Sequence, residues 1–301
     1  MNKIAIVILN WNNIADTLEC IRSVHKLQGV ADYTLQIVVV DNGSSQSINK
    51  LKKEKEITLI HNKKNLGFAG GNNVGIKCAL ENGADYVMIL NNDTVVNEDL
   101  VVQLIKVADL HKDAGILSPK IYFAPGFEFH KDRYEKDEQG KVIWYAGGIM
   151  DWDNVLGSNR GVDEVDIGRY NKIEETDFAT GACILIKRQV LEGVGFFDEK
   201  YFMYLEDADL ALRAKKAGWK VLYVPNSHLW HKVAGSSGIG SNLNDYFITR
   251  NRMLFGLRYA SIRAKFALFR ESAKLLLFGR EWQRQGVIDF YLGKFGKGSW
   301  K

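Results

Sequence analysis

The sequence predicts an α/β fold in which helices flank a mixed sheet, followed by a helical basic tail, and three observations predict it. Apolar, β-branched runs of strand length alternate with helix-compatible segments through the first 120 residues. That alternation breaks between 124 and 175, where the chain is charged and irregular, and then resumes. Twelve basic and three acidic side chains lie between Arg250 and Lys301, so this stretch holds +9 of a formal net charge of +4, leaving −5 on residues 1–249.

Strands are expected at Ile4 to Asn10, Leu35 to Asp41, Ile57 to Ile60, Tyr86 to Leu90 and Gly115 to Ser118. Helices are expected between them at Ile14 to Leu27, Ser44 to Lys53, Gly70 to Asn82 and Glu98 to His111, several opened by a capping Asn, Asp or Ser. In the second half a strand pair is expected around Val142 to Met150, a buried strand at Ala179 to Lys187 and a short helix at Arg188 to Val194. A longer helix at Leu205 to Ala217 is ended by Gly218, and a strand at Lys220 to Val224 is stopped by Pro225. At 301 residues, 46% hydrophobic and 25% charged, the chain can bury a real core. Three widely spaced cysteines (Cys20, Cys78, Cys183) form no C-x-x-C motif and fit a reducing cytosol. The apolar run Ile4 to Leu9 is too short for a signal segment and lacks a cleavage site, so it reads as a first strand. No apolar run approaches the roughly 20 residues that span a bilayer.

In an open α/β sheet, ligands gather outside the carboxyl ends of the strands. Three strands there end in Asn10-Trp11-Asn12, Asp41-Asn42-Gly43-Ser44-Ser45 and Asn91-Asn92-Asp93-Thr94, and Asn65 to Asn73 follows the third strand. Any one cluster is compatible with a turn or a helix cap. Four at one sheet edge point to a ligand site. Asp93 has the position to help hold a divalent cation that takes up developing negative charge, although an N-cap role is also open to it.

Tyr201 to Ala214 places Glu206, Asp207 and Asp209 within four residues behind an aromatic approach. Acids in a first helical turn complement the helix dipole, but three in an apolar setting suggest a working carboxylate that can act as a general base for a hydroxyl. His228 and His231 are three apart and would face opposite sides of an extended segment. The Gly- and Ser-rich stretch at Ala234 to Gly238 reads as a loop able to close over a ligand.

Together these segments resemble glycosyltransferase family 2, and within it the bacterial rhamnosyltransferase-like branch. The resemblance runs from Ile4 to about Arg252 and rests on Val7 to Asn12, Val39 to Ser44, Asn65 to Gly75, Leu90 to Thr94, Thr180 to Ala182, Phe196 to Glu199, Glu206 to Asp209, His231 and Tyr246 to Asn251. It implies a GT-A-type, Rossmann-like catalytic domain over 1–252, with a nucleotide-binding half at about 1–120 and an acceptor-side half at about 121–252, and a tail over 253–301. It implies an inverting transfer of a sugar, rhamnose among the candidates, from a dTDP- or UDP-sugar to a glycan or lipid-linked saccharide, in polysaccharide and cell-envelope synthesis. Asn10, Asn12 and Asp41 would hold base and ribose, and Asn65, Gly67, Gly71 and Asn72 would complete the nucleotide pocket, with Asn92 beside them. Asp93, Asn91 and His231 would hold Mg²⁺ or Mn²⁺, Arg250 would contact the diphosphate, and Gly181 and Ala182 would line the acceptor side. Asp207 would be the base, with Glu206 at its side. The family's Asp-x-Asp reads Asn91-Asn92-Asp93 here, so one carboxylate is lost from the metal set.

In the tail, Ile262, Phe266, Phe269, Ala273 and Leu276 form a helical stripe, with Arg263, Arg270 and Lys274 off it. The stripe suits either an anionic membrane surface or packing against the catalytic domain, and the expected location is cytoplasmic, with a peripheral place on the inner face of the cell membrane if it binds lipid. Nucleic-acid binding has no motif behind it beyond charge. A nucleotidyltransferase would need an early Gly-rich loop with Lys or Arg, which Leu9 to Asn13 lacks. Gly67 to Gly71 is not the G-x-G-x-x-G of a dinucleotide-binding dehydrogenase. A non-catalytic nucleotide- or carbohydrate-binding module is the remaining alternative.

Overall fold

The computed structural model describes residues 2–233 and 240–300, so the Ala234 to Gly238 stretch lies outside the described residues. Strands β1 (Asn2–Asn10), β2 (Tyr33–Asp41), β3 (Ile57–His61) and β4 (Tyr86–Asn91) run parallel in the order β4-β1-β2-β3. Helices α1 (Ile14–Val24) and α2 (Gly67–Glu81) follow strands β1 and β3 directly, and α3 (Leu100–Leu110) follows β4 after one short intervening strand. Near-continuous burial along β1 and β4 reflects a sheet covered on both faces. Gly71 and Gly75 let α2 approach closely, since a Cβ at Gly75 would lie 2.2 Å from Val7 Cγ1 in the central strand.

Beyond β4 come β5 (Thr94–Val96), β6 (Ala114–Phe123), β7 (Ile143–Tyr145), β8 (Gly148–Asp151), β9 (Leu156–Asn159), β10 (Glu174–Glu175), β11 (Cys183–Lys187) and β12 (Lys220–His231). β11 inserts antiparallel between β4 and β6, and β12 runs parallel to β6, so the sheet is mixed as expected. Helices α4 (Arg188–Val194) and α5 (Glu206–Lys216) precede β12. The chain closes with α6 (Asn242–Tyr259), α7 (Ile262–Phe278) and α8 (Glu281–Tyr291).

Four local expectations are corrected. Residues 44–53 are not an α-helix; only a 3₁₀ turn forms at Leu51–Lys53, because the Asn12 side-chain oxygen accepts from the Ser45 and Gln46 amides and holds the start of the segment in a loop. The strands around Val142 to Met150 do not pair with each other: β7 joins β6, and β8 forms a separate hairpin with β9. Pro225 does not stop its strand, because β12 bulges there, with register jumping from Val224↔Pro119 to His228↔Lys120, so no ladder bond is asked of the proline. The boundary expected at 252 falls inside α6, which is continuous to Tyr259.

The tail helices lean on one another and on the domain. Trp300 stacks on Tyr246 of α6, and the Ser299 amide and hydroxyl donate to Asp289 of α8. The α7 stripe faces solvent: Ile262, Phe266, Phe269, Ala273 and Leu276 are exposed, and α7 packs inward through Ala264, Leu268 and Ser272. No helix among the described residues is long and apolar enough to cross a membrane.

Candidate active site

The ends of β1 and β2 are cross-linked by side chains. Asn10 is fully buried and donates to Asp41 Oδ1 at 2.7 Å and to Ser44 Oγ at 3.2 Å, while the Thr17 hydroxyl donates to its side-chain Oδ1 at 2.8 Å. Asn12, in the left-handed region at φ 53°, caps the loop after β2 through its side-chain oxygen. The other Asp41 oxygen pairs with His61 Nδ1 at 2.6 Å. Asp41 is thus enclosed, whereas the His61 ring at the end of β3 is half exposed. His61 presents a half-exposed polar ring at this edge, and sequence reading passed over it; its place one residue past the β3 apolar run was the available signal.

Asn42 ties the next loop down, donating to Asn65 Oδ1 and to the Gly67 carbonyl, each at 3.0 Å. Gly67 begins α2 at φ +77°, and a Cβ there would lie 2.5 Å from the Phe202 carbonyl. A Cβ on Gly71 would meet Leu9 Cδ1 at 2.5 Å and the Asn42 amide nitrogen at 2.9 Å. Asn72 is fully buried within α2, donating to the Phe68 carbonyl, and its own side-chain oxygen has no protein partner. Asn92 turns toward α1, donating to Thr17 Oγ1 at 2.9 Å. These residues shape the edge by holding loops rather than by pointing into the cavity described below.

Asp93 and His231 meet because β5 pairs antiparallel with β12, setting Thr94 opposite His231. Asp93 Oδ1 and His231 Nε2 stand 3.1 Å apart. His231 is buried against the edge of the Trp144 ring, and its Nδ1 has no partner. A carboxylate oxygen and a buried imidazole nitrogen set side by side make a donor pair whose chemistry suits a divalent cation such as Mg²⁺ or Mn²⁺. Asn91 lines the same cavity. Among the described residues, no cluster of three or more His, Cys, Asp or Glu side chains is placed to hold a metal ion.

The acids of α5 are sorted by their surroundings. Asp209 is buried and neutralised by Arg213 at 2.7 Å and Arg258 at 3.2 Å, with hydroxyl bonds from Tyr201 and Tyr259. Asp207 faces the cavity, its two oxygens accepting from the Gly181 amide at 2.9 Å and the Ala208 amide at 2.8 Å. Burial raises its pKa, and those amides, by favouring the anion, hold the rise back. Glu206 lines the same cavity, buried, with one carboxyl oxygen unpartnered; burial first and the Asp207 charge second push it well above the ordinary carboxylate range.

The approach to α5 is strained. Phe202, Tyr204 and Leu205 all adopt φ near +70°, a conformation that costs a non-glycine residue about 1 kcal/mol or more. Asn251 of α6 holds this run by donating to the carbonyls of Tyr201 at 2.8 Å, Met203 at 2.7 Å and Tyr204 at 3.0 Å. Arg250 adds a bond to the Tyr201 carbonyl at 3.0 Å and is fully buried. The diphosphate contact expected of Arg250 is therefore corrected: its guanidinium is turned into the protein, enclosed by backbone carbonyls and the Tyr246 and Phe247 rings.

A cavity of about 380 Å³ joins these parts, with Asn91, Asp93, His231, Gly181, Ala182, Glu206 and Asp207 in its wall beside the apolar Phe68, Trp144 and Phe178. A family model described as glycosyl transferase family 2 matches residues 5–195. The chain belongs to glycosyltransferase family 2. Within this family it is 25% identical over 218 residues to the low-salt glycan biosynthesis hexosyltransferase Agl10 of Haloferax volcanii, covering 72% of this chain and 62% of that protein. It is 28% identical over 219 residues to an N-acetylglucosaminyl-diphospho-decaprenol L-rhamnosyltransferase of Mycobacterium tuberculosis, covering 68% of each. The fold matches a mannosyltransferase of Pyrobaculum calidifontis solved with GDP-mannose and Mn²⁺ at a TM-score of 0.55 and 14% identity, over 96% of this chain and 74% of that one. The expected GT-A architecture is thereby found in this family 2 chain.

Removing the Asn251 amide takes hydrogen bonds from the Tyr201, Met203 and Tyr204 carbonyls of the strained run, of which Tyr201 keeps the Arg250 donor. Asn251→Ala is expected to lower the unfolding free energy by about 2 kcal/mol or more, read by denaturant titration. A variant as stable as the parent would show that the strained run holds itself.

Proposed function

We propose that this chain catalyses an inverting sugar transfer from a nucleotide-diphosphate donor to a hydroxyl of a glycan or lipid-linked saccharide. The observation that carries this is the shared cavity: Asp207, oriented by two backbone amides, stands in the same space as the Asp93–His231 pair. Asp207 takes the proton of the acceptor hydroxyl as its oxygen bonds to the anomeric carbon, and the bond from that carbon to the diphosphate oxygen breaks on the opposite face. One displacement of this kind inverts the anomeric centre. Two adjacent carboxyls in a dry setting do not ionise together readily, so Glu206, with its unpartnered oxygen, carries the proton while Asp207 carries the charge.

Asp93 and His231, with Asn91 beside them, would hold Mg²⁺ or Mn²⁺ together with the donor diphosphate. When bound, the cation supplies neutralisation of the charge on the departing diphosphate. From there the nucleoside would cross the ends of β1 and β2 to β3, three strand spacings or about 14 Å, a span suited to a nucleoside diphosphate. Asn10, Asn12, Asp41 and the Asn65–Asn72 loop would shape this pocket, with His61 meeting the base. A dTDP- or UDP-sugar donor is the choice that the resemblance to the rhamnosyltransferase-like branch supports. Rhamnose and a lipid-linked acceptor are supported by the name of the mycobacterial relative, and the apolar cavity wall suits a deoxysugar. Work in polysaccharide or cell-envelope synthesis, on the cytoplasmic side and peripheral to the inner face of the cell membrane, belongs to the same proposal.

Asp207→Asn keeps the side-chain shape but removes the base. Release of nucleoside diphosphate from a panel of dTDP-, UDP- and GDP-sugars, with acceptor, is expected to fall by at least about a thousandfold while donor affinity stays within about threefold. Retained transfer would exclude Asp207 as the base. Calorimetry of nucleoside diphosphate binding tests the donor site separately. Affinity is expected to rise with Mn²⁺ in the parent but not in Asp93→Ala, and to drop about tenfold in His61→Ala with inorganic pyrophosphate binding unchanged. Equal affinity with and without metal in both proteins would remove the cation, and unchanged nucleotide binding in His61→Ala would remove the base contact.

A further inference from the structure

Helix α7 is amphipathic in an unusual sense: its larger apolar face points outward. Ile262, Phe266 and Leu277 are 71%, 68% and 72% exposed, and Phe269, Ala273 and Leu276 lie on the same face. With 3.6 residues per turn these six side chains occupy an arc of about 100°. The opposite arc, Ala264, Leu268 and Ser272, is buried against the domain. Arg263, Arg270 and Lys274 border the outward face on one edge and Lys265 on the other. Among the described residues none of Arg263, Arg270 and Lys274 makes an ion pair, and Glu271, the helix's acid, is turned inward to Arg252.

Arg252 links this helix to the catalytic cavity. Its guanidinium grips Glu271 with two bonds of 2.6 and 2.8 Å, while its Nε donates to the Asn154 carbonyl in the β8–β9 turn. Val155, Leu156 and Gly157 of that hairpin, with Arg252 itself, form part of the cavity wall. Arg270 and Lys274, on the border of the outward face, share a groove with Asp153 and Asn154 of that hairpin, so the face adjoins the acceptor side of the site along its basic edge.

We propose that the outward face of α7 docks onto an anionic lipid bilayer, its apolar side chains entering the interface and its basic border meeting lipid headgroups, so that the hairpin wall of the cavity lies beside the membrane. The occupant follows from charge: an apolar strip bordered by cations and free of outward acids complements a negatively charged lipid surface. This rests on the proposed transfer reaction, because it gives a lipid-linked saccharide a route into the cavity without leaving the bilayer.

The test is flotation of the full chain with phosphatidylcholine vesicles, with and without phosphatidylglycerol. The parent is expected to float with the anionic vesicles and to stay behind with the neutral ones. Phe266→Asp combined with Leu277→Asp should cut the bound fraction about tenfold or more, and Arg270→Glu with Lys274→Glu should do so in a salt-dependent way. All these positions are exposed, so thermal unfolding and nucleoside diphosphate binding should match the parent. A parent that does not float with anionic vesicles, or aspartate variants that float as well as it does, would overturn the proposal. So would a parent that sediments as a dimer split by the aspartate pair, since the face would then be a subunit contact. A parent that floats but binds no nucleoside diphosphate would instead overturn the transfer reaction and leave the membrane surface standing.

Discussion

The site depends on a short backbone run that would not hold its shape alone. Phe202, Tyr204 and Leu205 sit in the left-handed region immediately before α5, and their turn sets Asp207 in the first helical turn, facing the cavity. The run is clamped from two sides. On one, the Ala69 amide of α2 donates to the Phe202 carbonyl at 3.0 Å, a contact that Gly67 permits by having no side chain. On the other, Asn251 and Arg250 of α6 take up the carbonyls that the turn exposes. Strain of this size persists only where the surroundings over-determine it.

That clamp explains why the tail is part of the domain. Arg250 lies under the C-terminal turn, where its guanidinium reaches the Lys294 carbonyl, and Gly298 packs so closely that a Cβ would lie 2.8 Å from Arg250 Nη1. The Gly296 amide in turn donates to the Lys200 carbonyl, next to the strained run. Residues near the chain end therefore reach the positioning of Asp207 through two layers of hydrogen bonds. Their positive charge has a different outlet on α7, whose cations border its exposed face.

Much of this was legible from the residues, for reasons that differ by element. The parallel strands are long β-branched runs, and their polar ends stood out because an open α/β sheet concentrates ligands there. The 44–53 segment misled because its helix-compatible residues are held by a side chain from the β1 loop, a long-range contact that local pattern does not carry. Pro225 misled because a bulge in the register relieved the strand of the bond that proline lacks. Arg250 misled because an arginine near a diphosphate site and one binding backbone carbonyls look alike in a linear motif. The three acids of α5 could be flagged but not sorted, since Asp209 is claimed by Arg213 and by Arg258 from α6.

The central claim is that a partly buried Asp207, held as an anion by two amides, accepts the acceptor proton. Its burial places its pKa above that of an ordinary aspartate, and only the deprotonated form works as a base, so rate is lost as pH falls through that raised value. The most direct measurement is the pH dependence of kcat at saturating donor and acceptor. The account predicts an acid limb of unit slope that begins above the ordinary aspartate range of about 4. A kcat that stays level down to that range, in protein that remains folded, would contradict it.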